Sequence, residues 1–273
     1  MDIERKTPTV SVIIPTHNRA AILPRAVESV LSQDLTDLEL IIVDDASTDR
    51  TGKIISGFID PRVKSIRCAS NVGVAAARNL GISHSQGDYI TFVDDDDELT
   101  PNSISRRVAV MNASPLNPGM VYGWADVIND DTGERRALCR DEWEGKAFLQ
   151  ASLMLANSVP TLAMLWRASA VKEIGGFNEE LDLFEDNYFS NSVASKYHVI
   201  SLNGICALGH ASRAYSRLSD YRNLYKIDRF IEAHIQRFST EIGAIPNGIE
   251  RLLDFRDRML RSAAISAARD GEL

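Results

Sequence analysis

Short apolar strands alternate with helices through the first hundred residues, and this alternation constrains the fold more than any other feature. Each strand is rich in Val and Ile, as expected for a buried strand. Repeats of strand, helix and strand are typical of a parallel sheet with crossover helices. The sequence therefore predicts an α/β fold with a mostly parallel central sheet and flanking helices. The predicted strands are 10–14, 38–43, 63–68 and 89–93.

The rest of the chain is less regular and mixes short strands with helices. From residue 220 onward the pattern is helical to the end, with a break near 243–248. Other helices are predicted at 52–59, 101–111, 143–156, 168–174 and 185–195, and other strands at 120–122, 125–128, 134–138, 161–166 and 199–202.

Polar clusters follow three of the first four strands, at 15–19, 44–49 and 94–98. In an open α/β sheet, ligands bind just outside the carboxyl ends of the strands. The three clusters are therefore expected to converge on one edge of the sheet. This arrangement indicates a nucleotide-type site in the first hundred residues.

The third cluster, 94–98, consists of five consecutive acids. Adjacent carboxylates repel each other unless a cation lies among them, and hard divalent cations prefer such oxygen ligands. A solvated turn, or a helix start stabilised by acids near its positive end, explains the same run equally well. The run alone does not decide between these interpretations.

The overall charge and the cysteines exclude several classes of protein. A formal net charge of -8 argues against a nucleic-acid partner, because phosphate backbones are bound by clustered Lys and Arg. Three widely spaced cysteines give neither a metal motif nor a disulfide framework and suggest a reducing compartment. Neither a signal peptide nor a membrane-span-length apolar run is visible. We expect a soluble, cytoplasmic protein.

The usual phosphate-binding loops are missing from the sequence. It has no Walker-type loop and no G-x-G-x-x-G after the first strand. An acidic pocket cannot hold a diphosphate directly, but a divalent cation can bridge carboxylates to phosphate oxygens. This chemistry suits a nucleoside diphosphate leaving group whose charge is stabilised by the metal.

Several ordered motifs resemble the family 2 glycosyltransferases of the GT-A fold. The resemblance extends from residue 9 to about 200 and implies inverting transfer of a sugar from a nucleotide sugar to an acceptor hydroxyl. It implies a GT-A domain over 1–219, with a nucleotide-binding half at about 9–100, an acceptor half at about 101–219 and a helical extension over 220–273. The motifs lie at 11–19, 41–49, 71–79, 87–97, 175–181 and 185–186.

The same resemblance assigns residues to the donor nucleotide. Asp45 corresponds to the carboxylate that accepts a hydrogen bond from the base, whereas Asp44 and Asp49 are expected to form turns only. Arg78 is expected near the diphosphate or the acidic run. The segment beside the base consists of Pro15, Thr16, His17 and Asn18.

Metal binding is implied for the acidic run, with Mn²⁺ or Mg²⁺ as the cofactor. Asp96 corresponds to the metal ligand, together with Asp94, and Asp95 or Asp94 lies nearer the ribose. The register stays open, because four identical residues permit a slip of one position. Asp97 and Glu98 are expected to cap the helix at Pro101. His210 is a further candidate for reaching the metal or the diphosphate.

Two acids near residue 186 are candidates for the catalytic base. Asp186 corresponds to the general base that removes the proton of the acceptor hydroxyl, and Glu185 is the second choice. A carboxylate at a helix start stays ionised and can accept a proton. Without the resemblance, the pair would be interpreted as a helix cap.

The family resemblance also implies which substrates the protein uses and where in the cell it acts. By family frequency the donor is a UDP-sugar, and the acceptor is a glycan, a lipid-linked molecule or a protein in the synthesis of a cell-surface polysaccharide. The amphipathic helices after 220 are expected to pack on the catalytic domain or to form a homo-oligomer. A peripheral position at the inner face of the membrane is a further hypothesis.

Three other functions compete with this interpretation. A phosphohydrolase of the haloacid dehalogenase type also places Asp-x-Asp after a strand, but after the first strand rather than the fourth. A nucleotide-sugar pyrophosphorylase needs a Gly-rich basic loop after the first strand, and 15–19 is not such a loop. A catalytically inactive, nucleotide-sugar-binding subunit would bind without turnover, and the intact Asp96 and Asp186 argue against it.

Overall fold

The structure is a computed structural model that describes residues 7–140, 142–156, 159–212, 224 and 226–269. Strands and helices alternate in its first part as predicted. Helix α2 is shorter than predicted, and Gly57 follows its end. The elements are β1 Val10–Thr16, α1 Leu23–Leu31, β2 Leu38–Asp44, α2 Thr51–Ile55, β3 Val63–Arg67, α3 Val74–His84 and β4 Tyr89–Phe92.

The second part continues the sheet and adds the C-terminal helices. The predicted boundary at 219 and 220 lies outside the described residues. The elements are β5 Glu98–Leu99, α4 Ser103–Ala113, β6 Met120–Asn129, β7 Arg135–Cys139, α5 Gly145–Leu153, a 3-10 turn Thr161–Ala163, β8 Met164–Arg167, α6 Ala168–Ile174, α7 Glu185–Ala194, β9 Val199–Ala211, α8 Ile227–Arg237, α9 Ser239–Gly243 and α10 Gly248–Arg269.

One sheet runs through the described part of the chain in the order β3-β2-β1-β4-β8-β6-β9-β5, with β7 paired to β6. The first four strands are parallel, β6 and β9 are also parallel, and β8 runs antiparallel between β4 and β6. Successive side chains of β1 enter different apolar layers: Ile13 packs on one face, and Val12 and Ile14 pack on the other. Apolar packing on both faces is typical of an α/β sheet, and the predicted fold class is confirmed.

Four of the predicted strands need correction. The segments predicted at 120–122 and 125–128 are one strand, β6, whose pairing with β9 shifts register around Gly123. A Cβ at Gly123 would lie 2.3 Å from Cys206 Sγ, so glycine permits the close approach of the two strands. Strand β8 starts at Met164 because a 3-10 turn precedes it, and β9 continues well past residue 202 to Ala211.

The acids at the end of the run do not cap a helix. Glu98 begins the short strand β5, which pairs with β9. Helix α4 starts at Ser103, after Asn102, whose φ of 60° lies in the left-handed region that Asn tolerates. The expectation that Asp97 and Glu98 cap this helix is therefore wrong, because a strand pairing takes its place.

Helices α8, α9 and α10 pack onto the body of the chain. Phe230, Phe238 and Leu252 belong to the same buried cluster as Phe177 and Phe189. Their apolar faces therefore have a partner within the chain. Within the described residues, no helix combines the length and the apolar character that crossing a bilayer requires.

Candidate active site

One cavity of about 730 Å³ lies at the carboxyl ends of β1, β2 and β4, opposite the start of α7. It brings together residues from the predicted polar clusters and from the 185–186 motif, as expected for parallel strands. The predicted site residues that line it are Pro15, Thr16, His17, Asn18, Asp45, Arg78, Asp94, Asp95, Asp96, Glu185 and Asp186.

The loop after β1 is tied to the loop after β2. His17 Nδ1 donates to the carbonyl oxygen of Asp45 at 2.6 Å, so the ring carries its proton on Nδ1. Asn18 donates to His17 Nε2 at 2.9 Å and accepts from the backbone N–H of Thr48 at 2.7 Å. These bonds hold the His17 ring in a fixed orientation at the edge of the cavity.

Asp45 fixes the loop that enters α3. Its two carboxylate oxygens accept from the backbone N–H groups of Val72 at 2.7 Å and Gly73 at 2.9 Å. Gly73 has φ 87°, which glycine adopts without strain. The carboxylate thus joins the β2 loop to the wall of the cavity. Asp44 accepts from the Ser47 backbone N–H at 2.8 Å, as a turn residue does, but its other carboxylate oxygen accepts from Arg67. The expectation that Asp44 forms a turn only is therefore wrong, because it also pairs with a cation of β3.

Arg78 lies between two acidic segments. Nη1 donates to Glu185 Oε1 and Nη2 donates to Asp94 Oδ1, each at 2.7 Å. Burial would lower the pKa of the guanidinium, but the carboxylates of Asp94, Glu185 and Asp186 raise it above its ordinary value. The guanidinium also lies 5.2 Å from the centroid of the Phe177 ring. One buried cation therefore joins the end of β4 to the start of α7.

The segment before α7 is docked on α3 by Asn79. Its side chain donates to the Phe177 carbonyl at 2.9 Å and accepts from the Phe177 N–H at 2.8 Å. Gly176, with φ 83°, allows this approach, because a Cβ there would lie 2.4 Å from Asn79 Oδ1. This contact joins the 71–79 motif to the 175–181 motif, which precedes α7 in the chain.

The acids of the run point to different partners. Asp97 Oδ1 accepts from the backbone N–H of His210 at 2.8 Å, and the carbonyl of Asp96 accepts from Arg25 at 2.6 Å. Asp95 is buried 3.6 Å from Arg19. Burial raises the pKa of Asp95 to about 7, although the Thr16 hydroxyl and Arg19 oppose the shift. All four aspartates of the run line the cavity, and so does Arg19. Arg25 and the backbone of His210, which are not among the lining residues, hold the turn from its other side.

His210 lies outside the residues that line the cavity. Its Nδ1 is 2.6 Å from Asp130 Oδ1, and its Nε2 is 2.6 Å from Glu98 Oε1. Both ring nitrogens therefore face carboxylates, on the side of the acidic run that Arg25 also contacts. The structure does not bring this predicted residue together with the others.

Asp186 is oriented through both of its oxygens. Oδ1 accepts from the backbone N–H of Asn187 at 2.7 Å, and Oδ2 accepts from the Thr161 hydroxyl at 2.9 Å. Each oxygen keeps a further lone pair. Glu185 is buried, and burial together with the nearby Asp186 raises its pKa to about 7, against the effect of Arg78. The two neighbouring acids therefore have different surroundings.

Arg19 and Thr161 were not among the predicted site residues, although both contact acids of the site. Arg19 belongs to the recognised cluster 15–19, and its charge beside an acidic run was a usable signal. Thr161 had no such signal, because it begins the strand that the sequence predicts at 161–166 and no functional motif includes it. Only the fold shows that the 3-10 turn brings Thr161 to Asp186.

The cavity wall fits a small divalent cation held jointly with a phosphate. Among the described residues there is no group of three or more His, Cys, Asp or Glu side chains poised to hold a metal. Mg²⁺ is usually held by one or two carboxylates together with substrate phosphates and water, rather than by a cage of protein ligands. Asp94 and Asp96 supply two hard oxygen ligands of that kind.

The model of the family described as "Glycosyl transferase family 2" matches residues 11–170. The chain is 44% identical over 103 residues to the putative colanic acid biosynthesis glycosyl transferase WcaA of Escherichia coli. The matched segment is 37% of this chain and 37% of WcaA. It is 28% identical over 238 residues to the GalNAc(5)-diNAcBac-PP-undecaprenol beta-1,3-glucosyltransferase of Campylobacter jejuni, covering 81% of this chain and 74% of that protein.

Solved structures of glycosyltransferases share the fold. Staphylococcus aureus TarS 1–349 in complex with UDP-GlcNAc superposes with a TM-score of 0.67 at 17% identity, covering 96% of this chain and 92% of the 1–349 chain. The mannosyltransferase PcManGT of Pyrobaculum calidifontis, in complex with GDP-Man and Mn²⁺, gives 0.65 at 18% identity, covering 98% and 76%. These likenesses confirm the predicted GT-A architecture.

Proposed function

The chain belongs to glycosyltransferase family 2, and we propose that it transfers a sugar from a nucleotide sugar to an acceptor hydroxyl with inversion at the anomeric carbon. The observation that carries this proposal is the pair of contacts made by Arg78. Through them the acids after β4, suited to a metal-bound diphosphate, lie beside the acids at the start of α7, suited to proton removal.

The donor nucleotide is assigned to the part of the cavity formed by the β1 and β2 loops. His17 and Asp45 stand at its wall, and the backbone contacts of Asp45 keep the loop before α3 in place. UDP-GlcNAc in TarS and GDP-Man in PcManGT support a nucleotide-sugar donor, and we propose a UDP-sugar here. Pro15, Thr16 and Asn18 complete this side of the site.

Asp96, together with Asp94, is proposed to hold Mn²⁺ or Mg²⁺, and His210 takes no part in this assignment. When bound, the cation neutralises the negative charge that the diphosphate leaving group acquires. Arg78 holds Asp94 at the end of β4, and Arg25 holds the carbonyl of Asp96. Mn²⁺ in the PcManGT complex supports this metal class.

Asp186 is proposed as the general base. A carboxylate oxygen of Asp186 takes the proton of the acceptor hydroxyl while the hydroxyl oxygen attacks the anomeric carbon. The bond from the anomeric carbon to the diphosphate breaks on the opposite face, so the configuration inverts. Thr161 and the first turn of α7 hold the carboxylate in one orientation. Glu185 is less suited, because its carboxylate is buried against Arg78.

The acceptor and the biological setting are proposed from the relatives. WcaA is named for colanic acid biosynthesis, and a Rhizobium meliloti relative, ExoO, for succinoglycan biosynthesis. We therefore propose a role in cell-surface polysaccharide synthesis with a glycan or lipid-linked acceptor, at the inner face of the membrane. Association of two copies through the C-terminal helices stays a prediction.

A thermal-shift screen of nucleotide sugars, with and without Mn²⁺, tests the donor and the metal together. A ligand that binds only the folded state raises its apparent stability, by about 2.7 kcal/mol at 100 times its dissociation constant. We expect one nucleotide sugar to raise the melting temperature only when Mn²⁺ or Mg²⁺ is present. Release of the nucleoside diphosphate from that donor, with acceptor sugars added, then tests turnover. Binding without any turnover would favour an inactive binding subunit.

A further inference from the structure

A second cavity of about 360 Å³ adjoins the first and shares Phe184 and Asp186 with it. Asp186 thus stands at the junction between the two spaces. Phe184 precedes α7 with φ 57°, a conformation that a bulky residue adopts only under constraint. Its ring is held by Phe230 at 5.0 Å and Phe255 at 6.3 Å between centroids. The second cavity is therefore a built feature beside the proposed base.

The lining of the second cavity combines polar and apolar side chains. Its polar members include Ser152, Asn187 and Ser190, with the Asn187 amide 3.1 Å from the Ser152 hydroxyl. Its apolar members include Val159, Phe255 and Met259. Among the described residues that line this cavity, none is basic, and Asp186 is acidic. An anionic group such as a phosphate would meet no compensating charge here.

We propose that the second cavity binds a neutral sugar ring of the acceptor, and that α10 determines which ring fits. This proposal rests on the proposed function. A sugar ring has an apolar C–H face and hydroxyls at its rim, and a lining that combines apolar and polar side chains can contact both. The volume lies at the small end of the range of small-molecule sites, which suits one ring better than a long lipid chain. A lipid or phosphate carrier would lie outside this cavity.

Helix α10 contributes two apolar side chains to the lining of the second cavity. Phe255 and Met259 lie on α10, beyond the residues 11–170 that match the family model. Met259 and Phe255 are half-buried and face the cavity rather than the helix's exposed side, where Ile265 lies. Acceptor selection is thus assigned to the C-terminal helices, and donor chemistry to the matched segment.

Cysteine protection tests this proposal without requiring turnover. The native cysteines Cys68, Cys139 and Cys206 are all buried, so wild-type protein gives a low background with iodoacetamide. Met259→Cys places a reactive thiol on the proposed wall, and Val159→Cys places one on another part of it. Ser262→Cys, exposed on the same helix, is the matched control. Labelling is followed with methyl hexosides, glucose 1-phosphate and n-octanol as probes, with UDP and Mn²⁺ present.

We expect at least one methyl hexoside to slow labelling at Met259→Cys or Val159→Cys, about threefold at twice its dissociation constant, by mass action. Labelling of Ser262→Cys should not change. Stronger protection by glucose 1-phosphate or by n-octanol than by every hexoside, or no protection at either position, would overturn the proposal. A chain that shows hexoside protection but binds no nucleotide sugar would refute the proposed function and leave this sugar site standing.

Discussion

Arg78 and Glu185 are 107 residues apart in sequence, yet Arg78 Nη1 donates to Glu185 Oε1 at 2.7 Å in a buried pair. The same guanidinium reaches Asp94 through Nη2. One side chain of α3 thus connects the end of β4 to the start of α7. This connection makes the donor side and the base side of the cavity one structural unit.

Replacing Arg78 should destabilise the fold strongly. Arg78→Met leaves the buried Glu185 carboxylate without its cation, and breaking a buried pair in this way costs about 3–5 kcal/mol. Urea unfolding measures the loss. Lys196→Met is the control, because its partner Glu173 is exposed and such surface pairs contribute less than about 1 kcal/mol. The double variant Arg78→Met with Glu185→Gln should recover part of the loss, since the unpaired charge is gone. Equal losses for Arg78→Met and Lys196→Met would contradict this account.

Asp186→Asn should remove sugar transfer while nucleotide binding persists. The amide cannot accept the hydroxyl proton, and general base catalysis is typically worth about 10²–10⁴-fold in rate. Release of nucleoside diphosphate measures turnover, and the thermal shift with donor and Mn²⁺ measures binding. Asp182→Asn serves as the control, because Asp182 is an exposed acid close before α7 that pairs with Lys226. An Asp186→Asn variant with full activity would eliminate Asp186 as the base.

Asp96→Asn should weaken the metal-dependent part of donor binding. Loss of even an outer-shell partner costs metal affinity about 10–100-fold, and loss of a ligand should cost at least as much. The Mn²⁺ concentration that gives half of the donor-induced thermal shift is the measured quantity, and a chelator should abolish the shift in wild type. Asp88→Asn, at the opposite, exposed end of β4, should leave that concentration unchanged. If Asp96→Asn leaves that concentration unchanged, Asp96 is not the metal ligand, and another acid of the run must be tested in its place.

The sequence could predict the sheet and the convergence of the polar clusters because both follow from chain-local patterns. Parallel strands end at one edge, so acids after β4 and polar residues after β1 and β2 must meet there. The gathering of Asp45, Arg78, Asp96 and Asp186 around one cavity followed from this rule and from the family resemblance. Their chemical roles remain proposals.

Features that depend on packing between distant segments could not be predicted. Thr161 reaches Asp186 only because a 3-10 turn precedes β8, and Phe255 reaches the second cavity only because α10 folds back on the body. The continuity of β6 through Gly123 depends on how closely Cys206 approaches. The family resemblance suggested that His210 reaches the metal or the diphosphate. The pairing of β9 instead turns its side chain toward Asp130 and Glu98.

The C-terminal helices should make stability depend on pH through His234. This side chain is fully buried on α8 between Phe230 and Phe238, and Nε2 donates to the carbonyl of Leu153 at 3.2 Å. Burial lowers its pKa from 6.5 to about 4, although the bond to Leu153 opposes the shift. Between these values the unfolded chain binds the proton and the folded chain does not. The contribution of His234 is therefore complete above pH 6.5 and is lost as the pH falls toward 4.

The loss should reach about 2 kcal/mol at pH 5 and about 3 kcal/mol at pH 4. Asp95 and Glu185, whose pKa values are raised to about 7, act in the opposite direction, because the folded state holds their protons more tightly. The pH dependence of the wild-type unfolding free energy therefore does not report on His234 alone.

The variant His234→Phe keeps an aromatic ring at this position but has no group that titrates. It also leaves the Leu153 carbonyl without its donor, at a pH-independent cost of about 1–3 kcal/mol. The difference in unfolding free energy between wild type and His234→Phe should thus shift by about 2 kcal/mol between pH 7 and pH 5. If the unfolding free energies of the two proteins change with pH in parallel, the prediction is wrong, and His234 takes up its proton in the folded chain as readily as in the unfolded chain.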